Sequence, residues 1–313
     1  MSTDDSSGSS PATAFGAPAV AAALAAAVTV LLWASAFVGI RAVGVAVAPG
    51  ALALGRLLIG SVALGLLVAA RREGLPSRKA APGIIACGVL WFAGYNVLLN
   101  AGERLVDAGT AAMLVNVGPL FIAAIAGVFL REGFPRPLVA GAITAFIGTA
   151  ILAAATGMGD TASVAGILLC LGAALAYAGG VVIQKPLLTS SSALQVTWLA
   201  CTVGAIACLP FAPALVRDLD AANASVVWWV VFLGVFPTAV AFTTWAYALR
   251  FTSAGRMGAT TYLVPPLAVL MAWFVLGEVP PIGALVGGVV CLAGVAIARH
   301  RPVSRMPRLR PAP

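Results

Sequence analysis

Residues 108–132 read AGTAAMLVNVGPLFIAAIAGVFLRE. The run is apolar almost throughout and longer than the roughly 20 residues a helix needs to cross a bilayer's hydrocarbon. It opens on Ala108-Gly109, carries Pro119 at its middle and closes on Leu130-Arg131-Glu132. The same frame returns 146 positions later, at 254–278, as AGRMGATTYLVPPLAVLMAWFVLGE. Gly109/Gly255, Pro119/Pro265 and Glu132/Glu278 coincide without a gap, and the register runs on through Pro135/Pro281, Gly141/Gly287 and Gly148/Gly294. Apolar matches arise by chance in a chain this rich in Ala and Leu, so the weight rests on the Pro, Gly and Glu pairs. They make the chain two copies of one unit.

Composition sets the class. Of 313 residues, 61% are hydrophobic and 9% charged, against about 25% charged in a soluble domain. Such a chain cannot cover a soluble surface and is read as an all-α polytopic membrane protein, its partners the lipid bilayer and a small-molecule substrate. The net charge of +8 does not point to nucleic acid, because the basic residues sit in short loops and at the C-terminus, as membrane topology requires. The five cysteines lie inside apolar spans and form no C-x-x-C, so neither a disulfide framework nor a metal site is expected, and no cofactor. His300, the only histidine, lies in the basic tail.

Residues 1–17 are expected to form a disordered cytoplasmic tail, rich in Ser, Thr and Gly. No basic region precedes the first apolar run, which is therefore not expected to be a cleaved signal peptide. Ten spans follow, at about 18–40, 49–69, 82–102, 108–130, 136–156, 163–184, 195–215, 226–249, 257–277 and 282–299. They are continuous rather than alternating, so helices are the expected form. With the N-terminus inside, 14 basic residues fall on the cytoplasmic side and 3 (Arg41, Arg104, Arg217) outside, while Arg56 lies within a span. That asymmetry places both termini in the cytoplasm. Five spans per copy, 18–156 and 163–299, mean that the second copy enters from the opposite side. The repeats are inverted, and such a pair holds a site between its halves that can open either way. Residues 300–313 are a basic cytoplasmic tail. Each half also opens with an aromatic and a cation eight residues on: Trp33 and Arg41, then Tyr177 and Lys185, at an offset of 144.

WASAFVGIR at 33–41, ALGRLL at 53–58, AGTAAMLVNVGPLF at 108–121 and the closing L-x-E, with their counterparts in 254–278, resemble the EamA family of the drug/metabolite transporter superfamily. The resemblance covers nearly all of the chain after residue 17. It implies ten helices in two inverted five-helix repeats, an inner-membrane location, and export or exchange of amino acids or related small metabolites. Two departures bear on the substrate: Ala36 stands where an Asn is frequent, and Tyr262 and Pro266 stand where the first copy has Asn116 and Leu120.

No nucleophile-base-acid constellation is present, which argues against an enzyme. Arg56 sits about seven residues into its span, ~10 Å deep at 1.5 Å per residue. Two readings stay open for it: a contact for an anion or carboxylate, or a snorkelling cation that holds backbone carbonyls. Trp33, Tyr95, Asn96, Asn116, Tyr177, Trp245 and Tyr262, with Arg56, are the candidate substrate-binding residues. Their polar atoms would be unsatisfied against lipid and should face inward. Pro119, Pro265 and Pro266 are expected near mid-span as shared kink or gating elements. The glycines of 136–156 and 282–299 suit a scaffold or a homodimer contact. Glu132 and Glu278 are read first as helix-end caps. Rival readings are a cation or drug antiporter, weakened because 18–40 holds no acid, and a non-transporting scaffold or receptor. If basic residues set the orientation, tags at both termini and a reporter at Arg78 will be cytoplasmic and one at Gly159 external; an external C-terminal tag would break the ten-span reading.

Overall fold

The structure, a computed structural model, describes residues 17–43, 46–102, 104–105, 114–156, 163–276 and 281–299. Both tails, His300, Ala108, Gly109, Gly159 and Glu278 lie outside the described residues. Within them every regular element is helical: α1 (Ala17–Val43), α2 (Pro49–Ala70), α3 (Arg78–Gly102), α4 (Gly118–Phe129), α5 (Arg136–Thr156), α6 (Val164–Leu187), α7 (Ala193–Ala207), α8 (Ala212–Asp220), α9 (Ala224–Arg250), α10 (Ala254–Thr260), α11 (Val264–Leu276) and α12 (Ile282–Arg299). Leu24, Leu66, Leu168, Phe274 and Val289 are between 62 and 79% exposed on the outer surface. Only a lipid environment makes so apolar an exterior stable, and helices satisfy the backbone there without water.

Among the described residues, six helices are long and apolar enough to span a bilayer: α1, α2, α3, α6, α9 and α12. The stretch read as a single span at 195–215 is broken: α7 is followed, across a bend of 51°, by the amphipathic α8. Pro210 lies in the 3-10 turn Leu209–Phe211 at that bend, where it cannot donate to continue the helix. The stretch at 257–277 is likewise interrupted, by the 3-10 turn Thr261–Leu263 between α10 and α11. Pro119, Pro265 and Pro266 stand where their spans are interrupted. Pro119 occupies the first turn of α4, and the other two the first turn of α11. There a missing N–H leaves nothing unpaired, because the first helical donors have no partner in any case.

Element boundaries repeat with the sequence. Helix starts at Arg78 and Ala224, at Gly118 and Val264, and at Arg136 and Ile282 are each 146 positions apart. The π-helical turns Gly88–Gly94 in α3 and Gly234–Val240 in α9 keep the same spacing. Contacts between chain connections gather at two ends of the bundle. At one end the Ala48 N–H donates to Asp218 Oδ2 (2.8 Å), Ser163 N–H to the Leu105 carbonyl (3.3 Å) and Asn100 Nδ2 to the Pro49 carbonyl (2.9 Å). At the other, Glu132 accepts from the N–H groups of Ala254 (2.7 Å) and Gly255 (3.2 Å), capping α10. There too Lys185 Nζ donates to the carbonyls of Leu249 and Thr252, both at 2.5 Å, closing the end of α9.

The most extensive helix pair is α5 with α12, which run antiparallel. A Cβ on Gly148 would sit 2.5 Å from the Cys291 nitrogen and 2.7 Å from the Gly287 carbonyl oxygen; one on Gly287 would meet the Gly148 oxygen at 2.6 Å. The glycine faces of these helices are thus filled within the chain, and only their other faces, such as Ile143, Ile147 and Val289, remain exposed. Gly148→Ala should force the pair apart and cost about 1–3 kcal/mol, as overpacking does. Thermal unfolding in detergent should show the loss, with ligand affinity unchanged in the protein that survives.

Candidate functional site

A cavity lies in the half of the bundle toward the Asp218 end. Its free space is about 760 Å³, counting its open mouth. One wall comes from the later turns of α1, through Trp33, Ala36, Phe37 and Ile40. Arg56 enters from α2, Trp91, Tyr95, Asn96 and Leu99 from α3, and Val115, Asn116 and Pro119 from the start of α4 and the residues before it. Tyr177 of α6, Phe242 of α9, Thr261 and Val264 complete the lining.

Aromatic rings make the floor. The Trp33 ring lies 5.4 Å from Phe242 and 6.4 Å from Trp91 between centroids, both edge-on. Trp91 is 5.5 Å from Tyr177 and 5.0 Å from Phe242, and Tyr95 is 5.9 Å from Tyr177. Such tilted and edge-on pairs suit the ring quadrupoles and hold the rings rigidly. Trp91 reaches this position because residue 180 is glycine: a Cβ there would stand 2.4 Å from the Trp91 Cβ.

The polar groups are few and of one charge type. Arg56 is 6% exposed, and its Nε donates to Thr238 Oγ1 at 3.2 Å. Thr238 belongs to the π-helical turn of α9 and gives its own hydroxyl proton to the Leu233 carbonyl at 2.8 Å. The guanidinium is therefore oriented from the second half of the chain. Asn96 turns its amide N–H back to the Phe92 carbonyl at 2.7 Å, and Asn116 is half-buried. The Tyr177 hydroxyl is buried beside Thr261. Among the described residues, no Asp, Glu, His or Lys lines the cavity. The arrangement offers one cation, amides and aromatic faces, which is chemistry for a carboxylate or other anionic group carried on an apolar body.

Of the residues singled out in the sequence, the structure brings Trp33, Arg56, Tyr95, Asn96, Asn116, Tyr177 and Pro119 to one cavity. Trp245 lies beneath the floor, 5.0 Å from Trp33 and 5.7 Å from Trp91, and is fully buried. Tyr262 faces elsewhere, among Ala142, Ala145 and Val295 of α5 and α12, and Pro266 packs toward Gly288. Sequence reasoning did not single out Phe242, Thr238 or Thr261. The signal for Thr238 was its place in a span beside Pro237, where a π-helical turn shifts the side chain inward.

Comparison with known proteins accords with this geometry. The EamA-like transporter family profile matches residues 20–154 and again 164–299. A protein of Streptantibioticus cattleyicolor named a probable terminal-alkyne amino-acid exporter is 38% identical over 283 residues, covering 88% of this chain and 93% of that one. The Bacillus subtilis transporter YdfC is 36% identical over 279 residues, covering 89% and 90%. A solved crystal structure superposes with a TM-score of 0.72 over 90% of this chain and 97% of its own at 22% identity, a likeness of fold. The chain is a multi-pass membrane protein that belongs to the EamA-like transporter family.

Proposed function

We propose that the protein is a secondary carrier that exports or exchanges an amino acid, or a closely related small metabolite with an apolar side chain, by alternating access across the cytoplasmic membrane. In this reading the chain crosses ten times, with both termini cytoplasmic, and residues 18–156 and 163–299 are inverted repeats. The 146-residue spacing of the helix starts and of the two π-helical turns supports the repeat. The sorting of loop contacts to two ends supports the crossings: Ala48, Leu105, Ser163 and Asp218 meet at one end, Glu132, Lys185 and Ala254 at the other.

The observation that carries the reading is the half-cavity itself, open in the half toward the Asp218 end and closed below by an aromatic floor. Beneath that floor the bundle is filled by Trp245, Leu249, Met257 and Ile122, all at most 2% exposed. A cavity that ends at mid-bundle is one state of an alternating-access cycle. Arg56 receives the carboxylate, with the Asn116 amide beside it, and the aromatic rings receive the apolar body. The amino-acid exporter named above supports this substrate class. With no acid among the described lining residues, proton coupling is left to a helix-end group, and Glu132 is already engaged as a cap.

Purified protein in liposomes should exchange labelled amino acids with apolar side chains and should not exchange their amides. Loss of a hydrogen bond to a charged group costs about 1.5–3 kcal/mol. Arg56→Gln should therefore raise the half-saturating concentration by about tenfold or more, and Arg56→Lys should recover only part, having lost the planar fork. Asn116→Ala and Trp33→Ala should each weaken apparent affinity by about threefold or more while leaving insertion intact. Equal exchange of acid and amide would remove Arg56 from the site, and absence of exchange for every solute would sink the carrier reading.

A further inference from the structure

Below the aromatic floor, buried polar groups remain that no feature of the described cavity explains. Gln184 is 0% exposed, and neither its amide oxygen nor its amide nitrogen has a hydrogen-bond partner in the protein. Trp245 is also 0% exposed, with its indole N–H unpartnered. Native proteins rarely bury such groups unpaired, and each instance calls for a reason. A structural hydrogen bond is not the reason here, because none is made.

The repeat supplies one. At the offset of 144 that relates the first helix of each half, Tyr177 corresponds to Trp33 and Gln184 to Ile40. At 146, Trp245 corresponds to Leu99. Trp33, Ile40 and Leu99 all line the cavity. The unpartnered groups of the closed half thus stand where the open half has its walls. Tyr262, whose buried hydroxyl is also unpartnered, corresponds to the cavity residue Asn116, but its ring packs among the scaffold helices and so stands outside this file. The three residues form a file. Trp245 lies 6.2 Å from Tyr177 between ring centroids. Gln184 follows Tyr177 by seven residues, about two helical turns toward the Glu132 end on the same face of α6. Its neighbour Lys185 is fastened to the Leu249 carbonyl, one turn beyond Trp245.

We infer that Gln184 and Trp245 line the other half of the substrate pathway, closed here, which opens toward the Glu132 end in the opposite state. This rests on the alternating-access reading above. That half differs in chemistry from the Arg56 half. Arg56 has no charged counterpart, since Ala200 and Thr202 stand 144 and 146 positions on. In the opposite state the same amino-acid-like solute is therefore held there through neutral amide and ring N–H donors.

The test labels single cysteines with a membrane-impermeant maleimide in sealed vesicles of each orientation, without added solute. The wild-type chain, with its five buried cysteines, sets the background. Ile40→Cys should label from the Asp218 face, and Gln184→Cys from the Glu132 face only. If Gln184→Cys labels from neither face, or from the Asp218 face, the inference is wrong, whether or not the wild type exchanges amino acids; wild-type exchange tests the carrier reading separately. A second variant does not depend on cysteine. Gln184→Met keeps the shape and removes the unpaired amide, so the melting temperature should rise, by about 2–4 °C, while exchange falls about threefold. A structural glutamine would give the opposite shift, a lower melting temperature, and that result or unchanged exchange would also overturn the assignment. Ser191→Ala removes a buried unpartnered hydroxyl outside the file and should leave exchange unchanged.

Discussion

Backbone meets backbone where α5 crosses α12. The helices approach so closely that a single methyl group on Gly148 or Gly287 would collide with main-chain atoms of the other helix. In an apolar solvent no hydrophobic force draws helices together, so association depends on close packing and on polar contacts between them. Here both are present: the Cys291 thiol donates to the Ala145 carbonyl at 3.3 Å and lies 3.4 Å from the Thr149 hydroxyl. Ala145 and Cys291 are themselves 146 positions apart. The seam therefore joins equivalent points of the two copies and fastens the two halves of the chain to each other through residues that do not line the cavity.

With the halves fastened there, the remaining helices enclose a space whose character follows from a few side chains. Burying an arginine in an apolar bundle is costly unless it is hydrogen-bonded or faces a cavity. Arg56 has both provisions, through Thr238 and through the lining it contributes to. The π-helical turn that presents Thr238 belongs to the second half, and the one that presents Trp91 belongs to the first. Each turn inserts an extra residue into its helix and re-aims the side chains beyond it. Charge and aromatic floor are thus both set by the same local irregularity, used once in each copy.

The two ends of the bundle are held in different ways. Toward the cavity mouth the Asp218 carboxylate receives one backbone N–H ahead of α2. At the far end Glu132 caps α10 and Lys185 closes α9, so a carboxylate and an ammonium clamp the connection between those helices from either side. Each charge sits where a helix terminus leaves donors or acceptors of the opposite sign unpaired. A mid-bundle cavity toward one end and a clamped, filled half toward the other belong together.

Class, family and internal duplication were legible in the sequence, because each depends on patterns along the chain. Apolar run length reports the membrane, and the Pro, Gly and Glu pairs at 146 report the repeat. The gathering of Trp33, Arg56, Asn96, Asn116 and Tyr177 was legible in outline, since a polar atom in an apolar span must face inward. The direction each inward group takes was not. Tyr262 and Asn116 hold equivalent positions, yet one packs on the scaffold and the other lines the cavity. Pro119 and Pro265 looked like mid-span kinks, whereas each stands in the first turn of a new helix. Thr238 acquires its role only by meeting Arg56 across 182 residues of chain. Such outcomes turn on where a helix breaks and on which ring fits beside which glycine. Packing between distant segments decides those, and no local pattern encodes it.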